Sequence, residues 1–382
     1  MREALTLDQS GEIRRIDGSN MLGHCVRFPD YLKDASELAG QVRIPSEVRV
    51  CNETVIRYGR PRNIIIEGMG GSAIGGEMLR GWLRAKLPVP VQICRNYTLP
   101  AYANRDTLTF IISYSGDTEE TLSAFVDAIR RRCMVISITS GGHLLAFAKK
   151  LNIPHVMIPK GLPPRAAFPY LFFSLLRLLT RMKIISGTEQ ETQEALAILR
   201  CMARENAPET PVKNNPSKRL ALELKGTIPV IYGFGPYEAV AHRLKTQFNE
   251  NSKIPSMYNV FPELNHNEII GWEASENLTR NFSIILLRDH DELREVKSRI
   301  ELTKSLLLDK NRKIHELYGR GKHRLAKMLS LLFLGDFLSV YLAALSGFDP
   351  TPVKSIETIK LGMRKRFDHA EKLRREIDNI LS

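Results

Sequence analysis

The sequence predicts an α/β protein of two domains, each a flavodoxin-like parallel sheet flanked by helices, with a C-terminal loop and helix. Three observations predict it. Short apolar, β-rich runs alternate with helical patterns from Arg62 to about Ile158, as in a parallel sheet covered on both faces. The same order restarts later: Ile228-Pro229-Val230-Ile231-Tyr232-Gly233-Phe234-Gly235 lays over Ile64-Ile65-Ile66-Glu67-Gly68-Met69-Gly70 as strand, then Gly-x-Gly, then helix. A repeat of that kind marks a duplicated unit. Finally, 382 residues are too many for one ordinary core and suit two.

The elements follow in order. Residues 1–40 are polar and weakly periodic, and are expected to form a helical and loop segment. Residues 41–186 make the first domain, with strands expected at Asn63–Glu67, Val91–Cys94, Leu108–Ile112, Met134–Ile138 and His155–Ile158. Helical patterns lie between them at Ala73–Leu87, Glu119–Arg131 and Leu144–Lys150, and a long apolar helix follows at Ala166–Met182. Residues 187–216 form a helical connector that ends in the Pro- and Asn-rich stretch Asn206–Pro216, expected as a linker. Residues 217–347 make the second domain. Its strands are expected at Ile228–Gly235, Phe282–Leu287 and Lys313–Leu317, its helices at Tyr237–Phe248, Asp291–Leu308 and Arg324–Leu345. Residues 348–382 are a loop and one helix, Lys354–Leu381.

Composition excludes some classes of function. The formal net charge is +13, but the basic residues are dispersed. The densest cluster, Arg364-Lys365-Arg366 with Lys372, Arg374 and Arg375, lies on a helical pattern with few aromatics to stack on bases. It predicts a solvated face and no nucleic-acid partner. The five cysteines are far apart with no Cys-x-x-Cys, which fits a reducing, cytoplasmic setting and neither a disulfide framework nor a zinc knuckle. The polar N-terminus does not resemble a signal peptide. Of the two most apolar stretches, Ala166–Leu179 is short and Leu325–Phe348 is interrupted by Lys327 and Asp336. Both are expected as buried helices, with no membrane involved. The tyrosines and methionines are expected in the core.

Two loops carry the chemistry. Gly68-Met69-Gly70-Gly71-Ser72-Ala73-Ile74-Gly75-Gly76 follows a strand and opens a helix. Gly70 and Gly71 allow close backbone approach, and free N–H groups at the helix start favour an anion. The same residues fit a loose dinucleotide pattern, Gly68-x-Gly70-x-x-Ala73, and Arg95 at the end of the next strand would permit NADP. A turn without a ligand is a further reading. The second loop is more specific. In Ser113-Tyr114-Ser115-Gly116-Asp117-Thr118, hydroxyls alternate around a glycine directly after a strand, and offer three donors plus backbone N–H groups to one anion. Asp117 and Glu120 have capping-box spacing, so these acids are expected to satisfy the helix start. There is no Gly-x-x-x-x-Gly-Lys-Ser/Thr motif, which argues against nucleoside triphosphate hydrolysis. A neutral, hydroxyl-rich cradle suits a phosphomonoester.

Ser113–Thr118 resembles the phosphate loop of sugar isomerase (SIS) domains. Five further stretches occur in the order found in one SIS family, the bifunctional phosphoglucose/phosphomannose isomerases of archaea and bacteria. They are Gly68–Gly76, Gly161-Leu162-Pro163-Pro164-Arg165, Phe248-Asn249-Glu250-Asn251, Glu263-Leu264-Asn265-His266-Asn267-Glu268 and Asp349-Pro350-Thr351-Pro352-Val353-Lys354-Ser355-Ile356. The resemblance runs from about Arg62 to near the end and implies two SIS-type domains. It implies that Ser72, Ser113, Ser115 and Thr118 hold a phosphate, that Arg165 sits by the reacting carbons, that Glu250 is the base, and that His266 and Lys354 serve ring opening. It also implies a homodimer with the active site at the subunit and domain interface, and no metal or other cofactor. Glu77 stands where the family's glycine motif has Asp, with little effect expected.

The chemistry of the residues agrees. An aldose–ketose shift moves a proton between adjacent carbons through a cis-enediol, which one carboxylate can abstract and return. A permanently charged, bidentate guanidinium stabilises the developing oxyanion, and histidine exchanges a proton near neutral pH. The expected activity is interconversion of glucose 6-phosphate, and of mannose 6-phosphate, with fructose 6-phosphate. Two alternatives stay open: a non-catalytic sugar-phosphate-binding regulator, and an NADP-dependent enzyme. An amidotransferase-type synthase is disfavoured, since no N-terminal cysteine nucleophile is present.

Overall fold

A computed structural model describes residues 7–51, 54–308 and 313–381. The chain forms two compact units, and each is built from two separate segments of the sequence. One unit is built from Asp30–Ser186 with the chain from Val353 onward; the other from the described residues up to Pro29 with Gly187–Pro352. The N-terminal segment expected to end at residue 40 therefore divides at Pro29. The connector at 187–216 belongs to the second unit, and the C-terminal helices belong to the first.

In the first unit, a small antiparallel hairpin, β1 (Glu47–Arg49) and β2 (Val55–Arg57), precedes the main sheet. The sheet contains β3 (Asn63–Glu67), β4 (Val91–Cys94), β5 (Thr107–Ser113), β6 (Met134–Thr139) and β7 (His155–Met157) in the order β4-β3-β5-β6-β7. Every pairing is parallel. This is the flavodoxin-like order, with the direction of winding reversing between β3 and β5. The central strands β5 and β6 are buried along their whole length, because helices cover both faces. Successive residues of β3 show the two faces. Ile65 joins a core cluster with Phe125, Leu144 and Leu373; Ile66 faces Gly76 of the helix that follows, where a Cβ would come within 2.7 Å of its side chain. Helix α4 (Gly71–Leu83) packs on α7 (Phe168–Arg181), and α5 (Glu119–Arg130) packs beside α6 (Gly142–Lys150).

The C-terminal helix expected over Lys354–Leu381 is two helices, α15 (Lys354–Arg366) and α16 (His369–Leu381), broken where Phe367 turns extended. Helix α16 packs on α5 and α6, and buries Leu373 and Ile377 in the cluster around Ile65. No residue of α15 is buried.

The second unit repeats the plan with four parallel strands. Strands β8 (Ile228–Phe234), β9 (Met257–Phe261), β10 (Phe282–Arg288) and β11 (Lys313–Tyr318) lie in the order β11-β10-β8-β9. Read from the other edge, this matches the first four strands of the first sheet. Strand β9 has no counterpart among the strands expected from sequence. The helix Arg324–Leu345, α14, passes through the core against α8 (Glu189–Glu205), α9 (Pro216–Leu224) and α10 (Glu238–Gln247). Among the described residues it is long and apolar enough to cross a membrane, but 89% of its apolar window is buried within the protein. The stretch Asn206–Pro216, expected as a linker, is pinned instead. Asn206 is fully buried and accepts from Ser217 N and Oγ at 3.1 and 2.7 Å. The Lys218 ammonium donates to the carbonyls of Pro208 and Thr210 at 2.8 and 2.9 Å.

Candidate functional site

Both chemistry-bearing loops leave the carboxyl ends of adjacent strands, β3 and β5, at the point where strand order reverses. Ligands collect at such switch points because two loops splay apart there and their helix N-termini converge. The Gly68 loop enters α4 through Gly70, which adopts φ +50°. Next to it, Gly71 faces the backbone of Pro164 and Arg165, where a Cβ would come within 3.4 Å of both. That approach brings the largely buried Arg165, at 3% exposure, to the first loop. The structure thus brings Ser72, Ser113, Ser115, Thr118, Gly70, Gly71 and Arg165 into one region of one unit.

Within the second loop the hydroxyls are already oriented. Ser113 Oγ accepts from Gly116 N at 3.1 Å and shares a hydrogen bond with Thr118 Oγ1 at 2.9 Å. Ser115 Oγ accepts from Asp117 N at 3.2 Å, and Ser72 Oγ accepts from Tyr114 N at 3.4 Å. The last bond ties the first loop to the second. Since the oxygens of Ser72 and Ser115 accept, their hydroxyl hydrogens are left to donate to an anion. Ser72 and Ser113 are buried while Ser115 is exposed, so the cradle runs from floor to rim. Gly116 is obligatory: it has φ +75°, and a Cβ there would lie 1.8 Å from Gly141 O.

The expected capping box is absent. Asp117 Oδ1 instead accepts from His143 N at 2.9 Å and bonds the His143 ring at 2.7 Å, so it caps the neighbouring helix α6. Thr118 holds the N-cap of α5 with no side-chain bond to that helix. Tyr114, expected as a core residue, has a second task. Its hydroxyl donates to Pro159 O at 3.1 Å and accepts from Leu162 N at 2.7 Å. It therefore links the serine loop to the strand exit that leads to Arg165. The only signal in sequence was an aromatic residue between two loop serines.

Two acids near the first loop differ in state. Glu67, the last residue of β3, is fully buried. Burial pushes its carboxyl up to about 8; a bond from Thr121 Oγ1 at 3.4 Å opposes this and the charge of Glu120 adds to it. Its second oxygen has no hydrogen-bond partner. Glu77 is paired with Arg95 in a salt bridge. Arg95, the residue that would have read a 2′-phosphate, is thereby engaged by a carboxylate.

Glu250 and His266 belong to the second unit. Glu250 lies in a wide π-type turn, Phe248–Ser252, that extends α10. Such turns widen the backbone and recur at functional positions. On composition this Asn-Glu-Asn-Ser segment is too polar for a core, yet Asn251 and Ser252 are buried. Helix α14 supplies their partners. Asn251 Nδ2 donates to Ser339 Oγ at 2.9 Å, Ser252 Oγ donates to Ser339 O at 2.7 Å, and Gln247 Nε2 donates to Asp336 at 2.9 Å. Asp336 also takes a bidentate pair from the buried Arg243 at 3.0 and 2.8 Å. Glu250 is left half-buried beside a fixed backbone. His266 ends a short 3-10 turn after β9 and is exposed. Its neighbours are structural: Asn265 bonds Thr303 at 2.8 Å, Asn267 bonds Glu263 at 2.7 Å, and Glu268 accepts from Tyr232 and Asn259 at 2.6 Å each. Lys354 is the first residue of α15, exposed, in the first unit. Among the described residues no group of three or more His, Cys, Asp and Glu side chains forms a metal-binding cluster.

The chain is 43% identical over 298 residues to the bifunctional phosphoglucose/phosphomannose isomerase of Caldicellulosiruptor bescii, a match covering 78% of this chain and 88% of that protein. It belongs to that family. The phosphoglucose/phosphomannose isomerase of Aquifex aeolicus is 38% identical over 80% of this chain and 91% of its own length. For the Thermoplasma acidophilum member the values are 35%, 88% and 97%. Residues 213–363 match the family described as the bacterial phospho-glucose isomerase C-terminal SIS domain. The fold is shared more widely. A hypothetical protein of Thermus thermophilus superposes with a TM-score of 0.72 at 14% identity, covering 96% of this chain and 95% of that one. The C-terminal domain of glucosamine-fructose-6-phosphate aminotransferase from Francisella tularensis gives 0.60 at 14%, covering 86% and 96%.

Proposed function

We propose that this isomerase interconverts glucose 6-phosphate and mannose 6-phosphate with fructose 6-phosphate through a cis-enediol, without a metal or other cofactor. Ser72, Ser113, Ser115 and Thr118 hold the phosphate, helped by the N–H groups at Gly70 and Gly71. Glu250 moves the proton between C1 and C2, Arg165 stabilises the enediolate oxygens, and His266 and Lys354 open the sugar ring. Glucose and mannose differ only at C2 and share one enediol. A site that grips the phosphate and lets the C1–C2 fragment rotate serves both. The enzyme works as a homodimer with its active site at the subunit interface.

The observation that carries this reading is the cradle itself. Hydroxyls from two loops meet at a switch point, neutral and preorganised, with an arginine packed alongside. Phosphate affinity then comes from oriented donors and helix N-termini, and the sugar end is left free to react. The test is a coupled assay for fructose 6-phosphate formed from each aldose, with and without a chelator. Equal turnover in both conditions is expected. Activity on neither aldose would refute the assignment; loss of activity with the chelator would refute its metal-free part.

A further inference from the structure

The turn that carries Glu250 ends at Lys253, a non-glycine residue in the left-handed region at φ +58°. Its ammonium has three hydrogens and donates to three main-chain carbonyls. These are the carbonyl of Glu250 itself, that of Pro350 at 3.0 Å and that of Pro352 at 2.7 Å. The stretch Asp349–Pro352 contains two prolines, so half its backbone donors are missing and no regular pairing can order it. Thr351 N is satisfied locally by Asp349 Oδ1 at 2.9 Å. The chain continues from Pro352 through Val353 into Lys354.

We propose that Lys253 is a positioning residue for the reaction: its ammonium fastens the backbone of the proton-transferring Glu250 to the Asp349–Pro352 loop of the same unit and so aims the carboxylate. This rests on the assignment of Glu250 as the base. One face of the Glu250 turn is already fixed by Asn251 and Ser252 on Ser339. Lys253 fixes the other end, and it does so through the carbonyl of the base residue. A carboxylate displaced by about an ångström from the C1–C2 fragment loses much of its rate without losing the phosphate-anchored substrate. The left-handed backbone of Lys253 is the C-cap of the turn, its N–H on Phe248 O; from that position the exposed side chain gathers three carbonyls, an arrangement that capping alone does not require.

Lys253→Gly tests this, because glycine adopts the left-handed backbone freely and what is lost is the side chain that carries the ammonium. Expected for this variant are a fall in kcat of about tenfold or more, a KM for glucose 6-phosphate within about threefold, and an unchanged thermal midpoint. The primary isotope effect on kcat with 2-deuterated glucose 6-phosphate should exceed that of the parent, as proton abstraction becomes limiting. Lys253→Arg, which keeps donors in place, should recover part of the lost kcat. Parental kcat and isotope effect in Lys253→Gly, with Glu250→Gln inactive, would overturn the role of Lys253 alone. A loss of kcat that merely tracks a lowered thermal midpoint would overturn it too. Retained activity in Glu250→Gln would instead overturn the assignment of the base.

Discussion

Asp117, in the middle of the serine loop, accepts both the backbone N–H and the ring of His143 across the sheet. The loop is therefore held from β6 and α6 as well as from β5. Asp117→Ala removes both bonds. The expected outcome is a KM for fructose 6-phosphate raised about two- to fivefold, with kcat nearly unchanged, read from initial rates at saturating and sub-saturating substrate.

Ser113 is the buried floor of the cradle and bonds both Gly116 N and Thr118 Oγ1. Ser113→Ala should weaken binding of a hexose 6-phosphate by roughly ten- to a hundredfold, the range for a hydrogen bond to a charged group. Calorimetric titration with fructose 6-phosphate measures it. Affinity within twofold of the parent would remove Ser113 from the phosphate site.

Glu250→Gln keeps the shape of the side chain and removes its basicity. Turnover should fall by roughly a thousandfold, within the range of general-base contributions, while calorimetric affinity for a phosphorylated hexose stays within a few-fold.

Glu67 gives a pH signature. Its carboxyl ordinarily ionises near 4.5 and is pushed up to about 8 in the fold by burial. Between those values the folded state holds a proton that the unfolded chain has released. Its contribution to stability is thus complete below pH 4.5 and is lost as pH rises toward 8. Glu67→Gln removes the titration. Its stability relative to the parent should improve from pH 5 to pH 8.5 by on the order of 4 kcal/mol, as measured by urea unfolding at each pH. Parallel curves would show that Glu67 does not hold the extra proton.

The Arg95–Glu77 pair bears on the dinucleotide alternative. With its guanidinium engaged, Arg95 is poorly placed to read a 2′-phosphate. NADPH added to the protein should leave the nicotinamide fluorescence unchanged, and isomerase rates should not respond to it. Quenching or enhancement that saturates would revive the alternative.

Much of this was legible in the sequence because it is local. Strand, glycine and helix follow one another within twenty residues around Gly68 and again around Gly233, and Ser113–Thr118 sits directly on a strand end. What escaped needs long-range contacts. Strand β9 is only partly buried along most of its length, so it lacks both the apolar run of a central strand and clean alternation. The capping-box reading of Asp117 failed because the competing partner, His143, lies 26 residues away. The burial of Asn251 and Ser252 depends on Ser339, almost ninety positions later, and nothing in the local composition announces it. The break at Phe367 has no proline or glycine to signal it; docking of α16 on α5 and α6 imposes it.

The closing of the first unit by α16 has a consequence for synthesis on the ribosome. Leu373 and Ile377 fill the core around Ile65, so the unit holding the serine cradle cannot close its core until α16 has been made and is free to dock. The second unit, whose sequence ends at Pro352, is complete earlier. Completion of the units therefore runs against chain order, and a nascent chain halted before His369 would carry the whole sequence of the Glu250 unit while the core beneath the serine loop stayed open.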